Sequence, residues 1–141
     1  MNFGCFLRKK TLCLLSVDET KEKNIMEDNV ILDKSYNFAR RILKLSRFLE
    51  TEKKERTLSK QLLRSGTSIG ANAVEAANAQ SKADFFAKMY ISYKEANETE
   101  YWLRLFHDDG LIDDKGYESI HNDCLELVKI LSAITRHYKE K

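Results

Sequence analysis

The sequence predicts an all-α protein, an antiparallel up-down-up-down four-helix bundle. Its 141 residues contain no proline and only five glycines, so the turn formers that β-rich domains need are scarce. Apolar residues recur at spacings of three and four along four successive segments, as on one face of a helix. The segments are joined by short connections, which favour antiparallel neighbours, and the chain is about one domain long.

The first helix is predicted over residues 29–49. Its apolar residues cover one broad face: Ile31, Leu32, Phe38, Ala39, Ile42, Leu43, Leu45 and Leu49. The next residues, 50–56, read E-T-E-K-K-E-R and are polar throughout. We expect this segment to end the helix or to link it to the second.

The second helix is predicted over residues 58–79 and is rich in small residues. Gly66 and Gly70 each cost about 1 kcal/mol relative to alanine in a helix interior, so we expect another helix to approach closely there. A polar stripe at spacings of three, four and three predicts a contact with another helix: Ser65, Ser68, Asn72 and Glu75. Glu75 either lines a small pocket or makes a structural hydrogen bond or ion pair, and we favour the structural role.

The third helix is predicted from a cap at Ser81, with Asp84 completing a capping box, to about His107. One side is apolar (Phe85, Phe86, Met89, Tyr93, Ala96 and Leu103), and so is much of the remainder (Tyr90, Ile91, Tyr101, Trp102, Leu105 and Phe106). A helix that is apolar all round is buried all round, which one small bundle does not provide. We therefore predict a homo-oligomer with these interface residues: Tyr90, Tyr101, Trp102 and Leu105.

The aromatic residues of the third helix have a second interpretation, because tyrosine and tryptophan rings also stack on nucleobases. Their helical spacing favours a core or subunit interface. Glu100 and Arg104 lie four residues apart on this helix, and we expect them to pair with each other.

The fourth helix is predicted to begin near the acidic pair Asp113 and Asp114, at its positive dipole end. Its apolar residues alternate at spacings of three and four: Tyr117, Ile120, Cys124, Leu127, Leu131 and Ile134. We expect Cys124 to be a buried, unreactive thiol, because no basic residue beside it would lower its pKa.

The composition predicts a cytoplasmic protein that does not enter the membrane. Charged residues make up 33% of the chain, and the cysteines Cys5, Cys13 and Cys124 form no disulfide framework. Met26 begins a segment that looks like a complete helical domain over residues 26–141. Residues 1–25 are then a flexible extension or a leader from a start assigned too early.

Positive charge is concentrated in one part of the chain. Residues 34–64 carry ten Lys or Arg against three Glu, whereas residues 65–141 carry nine against thirteen acidic residues. A basic flank of this kind attracts phosphate, and a ring of subunits would repeat it. The predicted nucleic-acid-binding residues are Arg40, Arg41, Lys44, Arg47, Lys53, Lys54 and Arg56; a solvated helix surface is the alternative.

No motif in the sequence names a reaction. Glycine-rich phosphate loops, C-x-x-C and H-E-x-x-H are absent, and we expect no cofactor. Glu118 and His121 imitate one half of a di-iron site, and with Glu75 they define a metal-dependent enzyme as the least favoured function. Their place beside the apolar seam favours solvated helix-surface residues.

A resemblance adds to this pattern. The run QLLRSGTSIGANAVEA, from Gln61, and then AQSKADFFAKMYISYKEANETEYWLRL resemble the bacterial four helix bundle protein family, also called the 23S rRNA intervening-sequence or S23 family. The resemblance extends over about residues 30–135. It implies a homopentameric ring of four-helix protomers with no catalytic residue.

The same resemblance implies partners. Some members are encoded inside intervening sequences of 23S rRNA genes. A related protein, the accessory variability determinant of diversity-generating retroelements, binds nucleic acid and a reverse transcriptase through a basic ring. We therefore expect a non-enzymatic scaffold that binds RNA or DNA, with a reverse transcriptase or a ribosome-associated protein as a further partner. The alternative is a protein-protein adaptor ring without nucleic acid.

Overall fold

The computed structural model describes the backbone of residues 19–139 and the side chains of residues 30–136. It contains four helices and, within that part of the chain, no strand: α1 (Glu19–Thr51), α2 (Thr57–Ala77), α3 (Lys82–Asp108) and α4 (Asp114–Lys139). Each helix packs against the next, and α4 returns to α1 through the least extensive of the four contacts. The predicted antiparallel four-helix bundle is confirmed.

Helix α1 begins at Glu19, well before the predicted Asn29. The predicted extension is residues 1–25, of which 1–18, with Cys5 and Cys13, lie outside the described residues. The domain boundary at Met26 stays a prediction.

The connections are fixed by side-chain caps. In the α1–α2 link, Lys54 adopts a left-handed backbone with φ 57°, and Oε1 of Glu55 accepts a hydrogen bond from the Leu58 amide at 2.7 Å. The predicted Ser81 cap of α3 is confirmed, since its Oγ accepts from the Asp84 amide at 3.1 Å. The Asp84 carboxylate accepts in turn from the Gln80 amide, one residue earlier than in a reciprocal capping box.

The core runs along the bundle axis and takes its largest fully buried side chains from all four helices: Phe38, Phe106, Ile31, Ile42, Leu49, Leu62, Ile69, Met89, Leu103, Leu127 and Leu131. Two placements in the predicted faces were wrong. Leu43 is 38% exposed, because it lies at the edge of the apolar face of α1. Phe106 is buried, because the inward side of α3 continues from Leu103 by three residues.

The close approach predicted at the two glycines of α2 is confirmed, and the approaching helix is α1. A Cβ added at Gly66 would lie 2.7 Å from Cγ2 of Ile42, and one at Gly70 would lie 3.2 Å from Oγ of Ser35. The missing side chains therefore let the two helices pack at short distance, which offsets the poor helix propensity of glycine.

Buried hydroxyl groups join α2 to α3. Oγ1 of Thr99 donates to Oγ of Ser65 at 2.9 Å, and Oγ of Ser92 donates to the Ile69 carbonyl at 2.7 Å. Thr99 and Ser92 are both fully buried. These bonds satisfy polar groups that would otherwise be costly in the core, and they fix the register of the two helices.

Cys124 lies between α4 and α3, where its thiol donates to the Ala96 carbonyl at 3.5 Å. The residue is fully buried, which raises the pKa of the Cys124 thiol to about 12, with smaller contributions from the Glu100 and Asp123 charges. The predicted burial of the thiol is confirmed, and a pKa raised in this direction disfavours the reactive thiolate. Over residues 19–139, no helix is both long and apolar enough to cross a membrane.

Candidate nucleic-acid interface and oligomer interface

The basic face of α1 consists of Arg40, Lys44 and Arg47. The three residues follow each other at spacings of four and three, so they lie within about 60° of arc on one side of the helix. They are exposed, on the side opposite the buried Phe38 and Ile42. Among the described side chains, no carboxylate lies within ion-pairing distance of any of the three. The face therefore presents free positive charge to solvent.

Arg41 belongs to a different environment from its neighbour Arg40. Its guanidinium forms an ion pair with Asp123 of α4, and Nη2 donates to Oγ of Ser119 at 2.8 Å. Nη1 also donates to the Ser119 carbonyl at 3.3 Å. Lys34 makes a second ion pair of this seam, with Glu126 at 2.8 Å. The structure therefore places Arg41 in the contact between α1 and α4, apart from the basic face.

The three cations of the α1–α2 link are exposed and extend the positive region beyond Arg47: Lys53, Lys54 and Arg56. Nζ of Lys53 lies 5.8 Å from the ring centroid of Phe48, a cation–π contact that also covers part of that ring. The same link carries Glu52 and Glu55, and Glu50 lies in the last turn of α1. Unbalanced positive charge is therefore greatest on α1 itself, at the basic face.

The outer side of α3 carries an apolar surface, which we call the α3 outer strip: Tyr90, Ile91, Tyr101 and Leu105. These side chains are 41%, 39%, 56% and 37% exposed, respectively. Ile91 was not among the predicted interface residues, although its exposure is close to that of Tyr90 and Leu105. A solvent-facing helix normally presents polar residues there, so the strip is an apolar surface that the single bundle leaves exposed on α3.

Trp102 lies at the edge of that strip and is half-buried. Its Nε1 donates to Oε1 of Glu98 at 3.2 Å, and its ring meets that of Tyr101 edge to face at a centroid distance of 5.1 Å. Glu98 also pairs with Arg64 of α2, which makes a second ion pair with Glu95. The hydrogen bond and charge of Glu98 raise the pKa of Arg64. Arg64 therefore joins α2 to α3, although sequence alone placed it in the basic flank.

The polar stripe of α2 divides into two kinds of contact. Ser65 accepts from Thr99, and Oε2 of Glu75 pairs with Nζ of Lys88 at 2.8 Å, so both ends of the stripe reach α3. The hydrogen bond with Glu75 raises the pKa of Lys88. Ser68 and Asn72 instead bond within α2, to the carbonyls four residues earlier, at 2.6 and 2.8 Å.

The residues of the metal-enzyme hypothesis are not brought together. Glu75 pairs with Lys88 near the start of α3, whereas His121 bonds to Glu100 at 3.1 Å, twelve residues and about 18 Å further along that helix. Glu118 is exposed. Among the described side chains, no group of three or more metal-ligating residues forms.

Two expectations about this region were wrong, for one reason. Glu100 pairs with His121 across the α3–α4 contact and not with Arg104 along its own helix. His121 is consequently only 19% exposed in its side chain and is not a solvated surface residue. The ring of Tyr117 stacks on His121 at 4.7 Å and on His107 at 4.1 Å, and burial, with the Glu100 charge, raises the pKa of Tyr117.

Comparisons with known proteins agree with this architecture. Residues 27–133 match a family described as 23S rRNA-intervening sequence protein. A solved structure of a protein with unknown function, from the S23 ribosomal protein family of Bacteroides thetaiotaomicron, is 55% identical, with a TM-score of 0.76. The similarity covers 78% of this chain and 98% of that one. No curated protein matches.

Proposed function

We propose that this chain, which belongs to the 23S rRNA-intervening sequence protein family, is a non-enzymatic, oligomeric helical scaffold that binds the phosphates of RNA or DNA through the basic face of α1. The basic face carries the proposal, because Arg40, Lys44 and Arg47 are exposed and have no carboxylate partner among the described side chains. Bound phosphate would release counterions, a driving force that grows with each phosphate neutralised.

Assembly multiplies this weak site. Three cations make few phosphate contacts in one subunit, but a closed ring repeats them at fixed spacing, and linked weak contacts add. The α3 outer strip supports self-association, because burying its aromatic and aliphatic side chains against another copy would remove them from water. A homopentameric ring in the cytoplasm is the assembly that the family resemblance favours.

The charge-reversed variant Arg40→Glu with Lys44→Glu tests the proposal. We expect binding of a mixed-sequence RNA to fall by more than tenfold at low salt, since repulsion replaces two favourable contacts. The matched control is Lys115→Glu with Lys129→Glu, two exposed lysines of α4 with no ion pair among the described residues. It changes net charge equally, so equal losses in both variants would contradict the basic face as the binding site.

A second candidate function is a protein-protein adaptor, and the α3 outer strip favours it independently of charge. In that function the strip binds a different protein, and nucleic acid plays no part. Recovery of one protein from nuclease-treated extract, lost in Tyr101→Glu but kept in the Arg40→Glu, Lys44→Glu variant, would support the adaptor. A reverse transcriptase or a ribosome-associated protein is the partner that the resemblance suggests.

A metal-dependent enzyme has the least support, because Glu75 and His121 lie far apart and each is paired with another side chain. Elemental analysis of purified protein that found one metal per chain would revive it.

A further inference from the structure

Tyr36 is the most exposed large apolar side chain in the described part of the protein, at 68%. It lies on α1, and no described side chain stacks on its ring or bonds to its hydroxyl. Phe48, the other exposed aromatic residue of this helix, is 41% exposed and is contacted by Lys53. Tyr36 therefore presents an aromatic face that the described side chains leave open to solvent.

The position of Tyr36 relates it to the basic face. It precedes Arg40 by four residues, Lys44 by eight and Arg47 by eleven, so the ring and the three cations fall within about 80° of arc on one side of α1. Along the helix axis, Arg40 is about 6 Å and Arg47 about 16 Å beyond the ring. Asp33, one turn before Tyr36, ends the stretch without negative charge.

We infer that the basic face binds single-stranded nucleic acid, with one unpaired base stacked on Tyr36 and the following phosphates on Arg40, Lys44 and Arg47. The inference rests on the proposed function and adds the class of ligand to it. Every base has a π-face that an aromatic side chain can cover, and proteins that bind single strands combine such rings with a cationic track. In a duplex, both faces of each internal base are covered by its neighbours, so Tyr36 finds no face to stack on.

The alternative role for Tyr36 is a contact between subunits, and the charged residues around its ring disfavour that role. The ring lies between Asp33 and Arg40 on the helix surface, and charged residues are depleted at the centre of protein interfaces. The α3 outer strip, by contrast, places four apolar side chains on one helix. The chemistry around Tyr36 fits a ligand that is itself part aromatic and part anionic.

The experiment compares two fluorescently labelled probes of equal nucleotide number and nearly equal phosphate number, an oligouridylate of twenty nucleotides and a ten-base-pair RNA duplex. We expect the full-length protein to bind the single strand more tightly than the duplex. Tyr36→Ala should weaken single-strand binding by about tenfold, the lower part of the range for removing one stacked base, and leave duplex binding unchanged.

Two further variants separate stacking from simple apolar contact. Tyr36→Phe keeps the ring and should bind the single strand like the parent, whereas Tyr36→Leu keeps apolar area without a ring and should resemble Tyr36→Ala. Tyr36→Trp should add tryptophan emission to that of Trp102, and the oligouridylate, but not the duplex, should quench this added emission, whereas the parent protein should show no such quenching.

Each result has one meaning. Equal binding of both probes, with Tyr36→Ala unaffected, overturns the single-strand inference and leaves the basic face standing. If the Arg40→Glu, Lys44→Glu variant still binds both probes as tightly as the parent does, the proposed function is overturned instead. A change in molecular mass on Tyr36→Ala would place the residue in a subunit contact and would also overturn the inference.

Discussion

The outer sides of α1 and α3 differ in the kind of side chain that they expose to solvent. On α1 the exposed groups are the cations of the basic face, and on α3 they are the apolar side chains of the α3 outer strip. Exposed charge is well hydrated and can bind an anion, whereas apolar area in contact with water costs free energy that burial against another molecule removes. This difference is why we propose ligand binding at α1 and protein association at α3.

The contacts that hold α1 and α3 in the bundle also differ. Helix α1 is held against α2 by backbone proximity at Gly66 and against α4 by ion pairs such as that of Arg41 with Asp123. Helix α3 is held by buried hydroxyl groups and by the thiol of Cys124. The contacts of each helix can be altered without changing those of the other, so the two surfaces can be tested separately.

The largest effect is expected on assembly. Tyr101→Glu with Leu105→Glu places two charges in the α3 outer strip, where subunit contact would bury them without partners. We expect light scattering to report several chain masses for the parent protein and the single-chain mass of 16.4 kDa for the variant. The Arg40→Glu, Lys44→Glu variant should keep the parent mass. A parent protein that is already monomeric would contradict the role given to α3.

The next effect concerns the close packing of α1 against α2. Gly66→Leu should lower the free energy of unfolding by about 3 kcal/mol, because even its Cβ would meet Ile42 at 2.7 Å. Gly70→Ala is the matched comparison, since its Cβ would lie 3.2 Å from Oγ of Ser35 and alanine favours helix. We expect that variant to change stability by less than about 1 kcal/mol. Equal urea midpoints for Gly66→Leu and the parent would refute the close approach.

The buried thiol of Cys124, between α3 and α4, predicts that folding stability depends on pH. Burial raises the pKa of Cys124 to about 12, above its ordinary value of 9.0. Above pH 9 the unfolded chain therefore loses the thiol proton while the folded chain keeps it, so folding stability should fall by about 1.4 kcal/mol per pH unit. The contribution is fully present below pH 9. Cys124→Ala should lower stability at neutral pH but flatten this alkaline decline, and an unchanged decline would contradict the buried thiol.

The smallest effects separate two adjacent arginines of α1. Arg41→Ala should lower the free energy of unfolding by about 1 kcal/mol, because it removes a half-exposed ion pair and the hydrogen bonds to Ser119. Arg40→Ala should leave stability unchanged and weaken RNA binding instead. Chemical denaturation and fluorescence anisotropy on the same two variants measure both effects. The opposite assignment would show that Arg41 is the ligand-binding residue.

The helices were predictable from the sequence because each carries a repeating apolar face. Gly66 and Gly70 also predicted a closely packed neighbouring helix, since glycine in a helix interior costs stability that close packing must offset. Sequence could not distinguish Arg40 from Arg41, because the partner of Arg41 is Asp123, on the last helix of the chain.

Similarly, Glu100 was assigned to Arg104 by spacing alone, although His121 lies closer once α3 and α4 pack. Tyr36 was not among the predicted site residues, because its ring lies outside the apolar face of α1 and outside the cluster of basic residues. An aromatic residue four positions before an arginine on the polar side of a helix was the available signal.

The account depends most on the basic face, and the salt dependence of RNA binding tests it most directly. Each single-strand phosphate neutralised contributes about −0.7 to the slope of log K against log salt concentration. The three cations of one subunit therefore predict a slope of about −2 or steeper, reduced by Arg40→Glu with Lys44→Glu and unchanged by Lys115→Glu with Lys129→Glu. An affinity that does not vary with salt, or one that the first variant retains, would contradict the account.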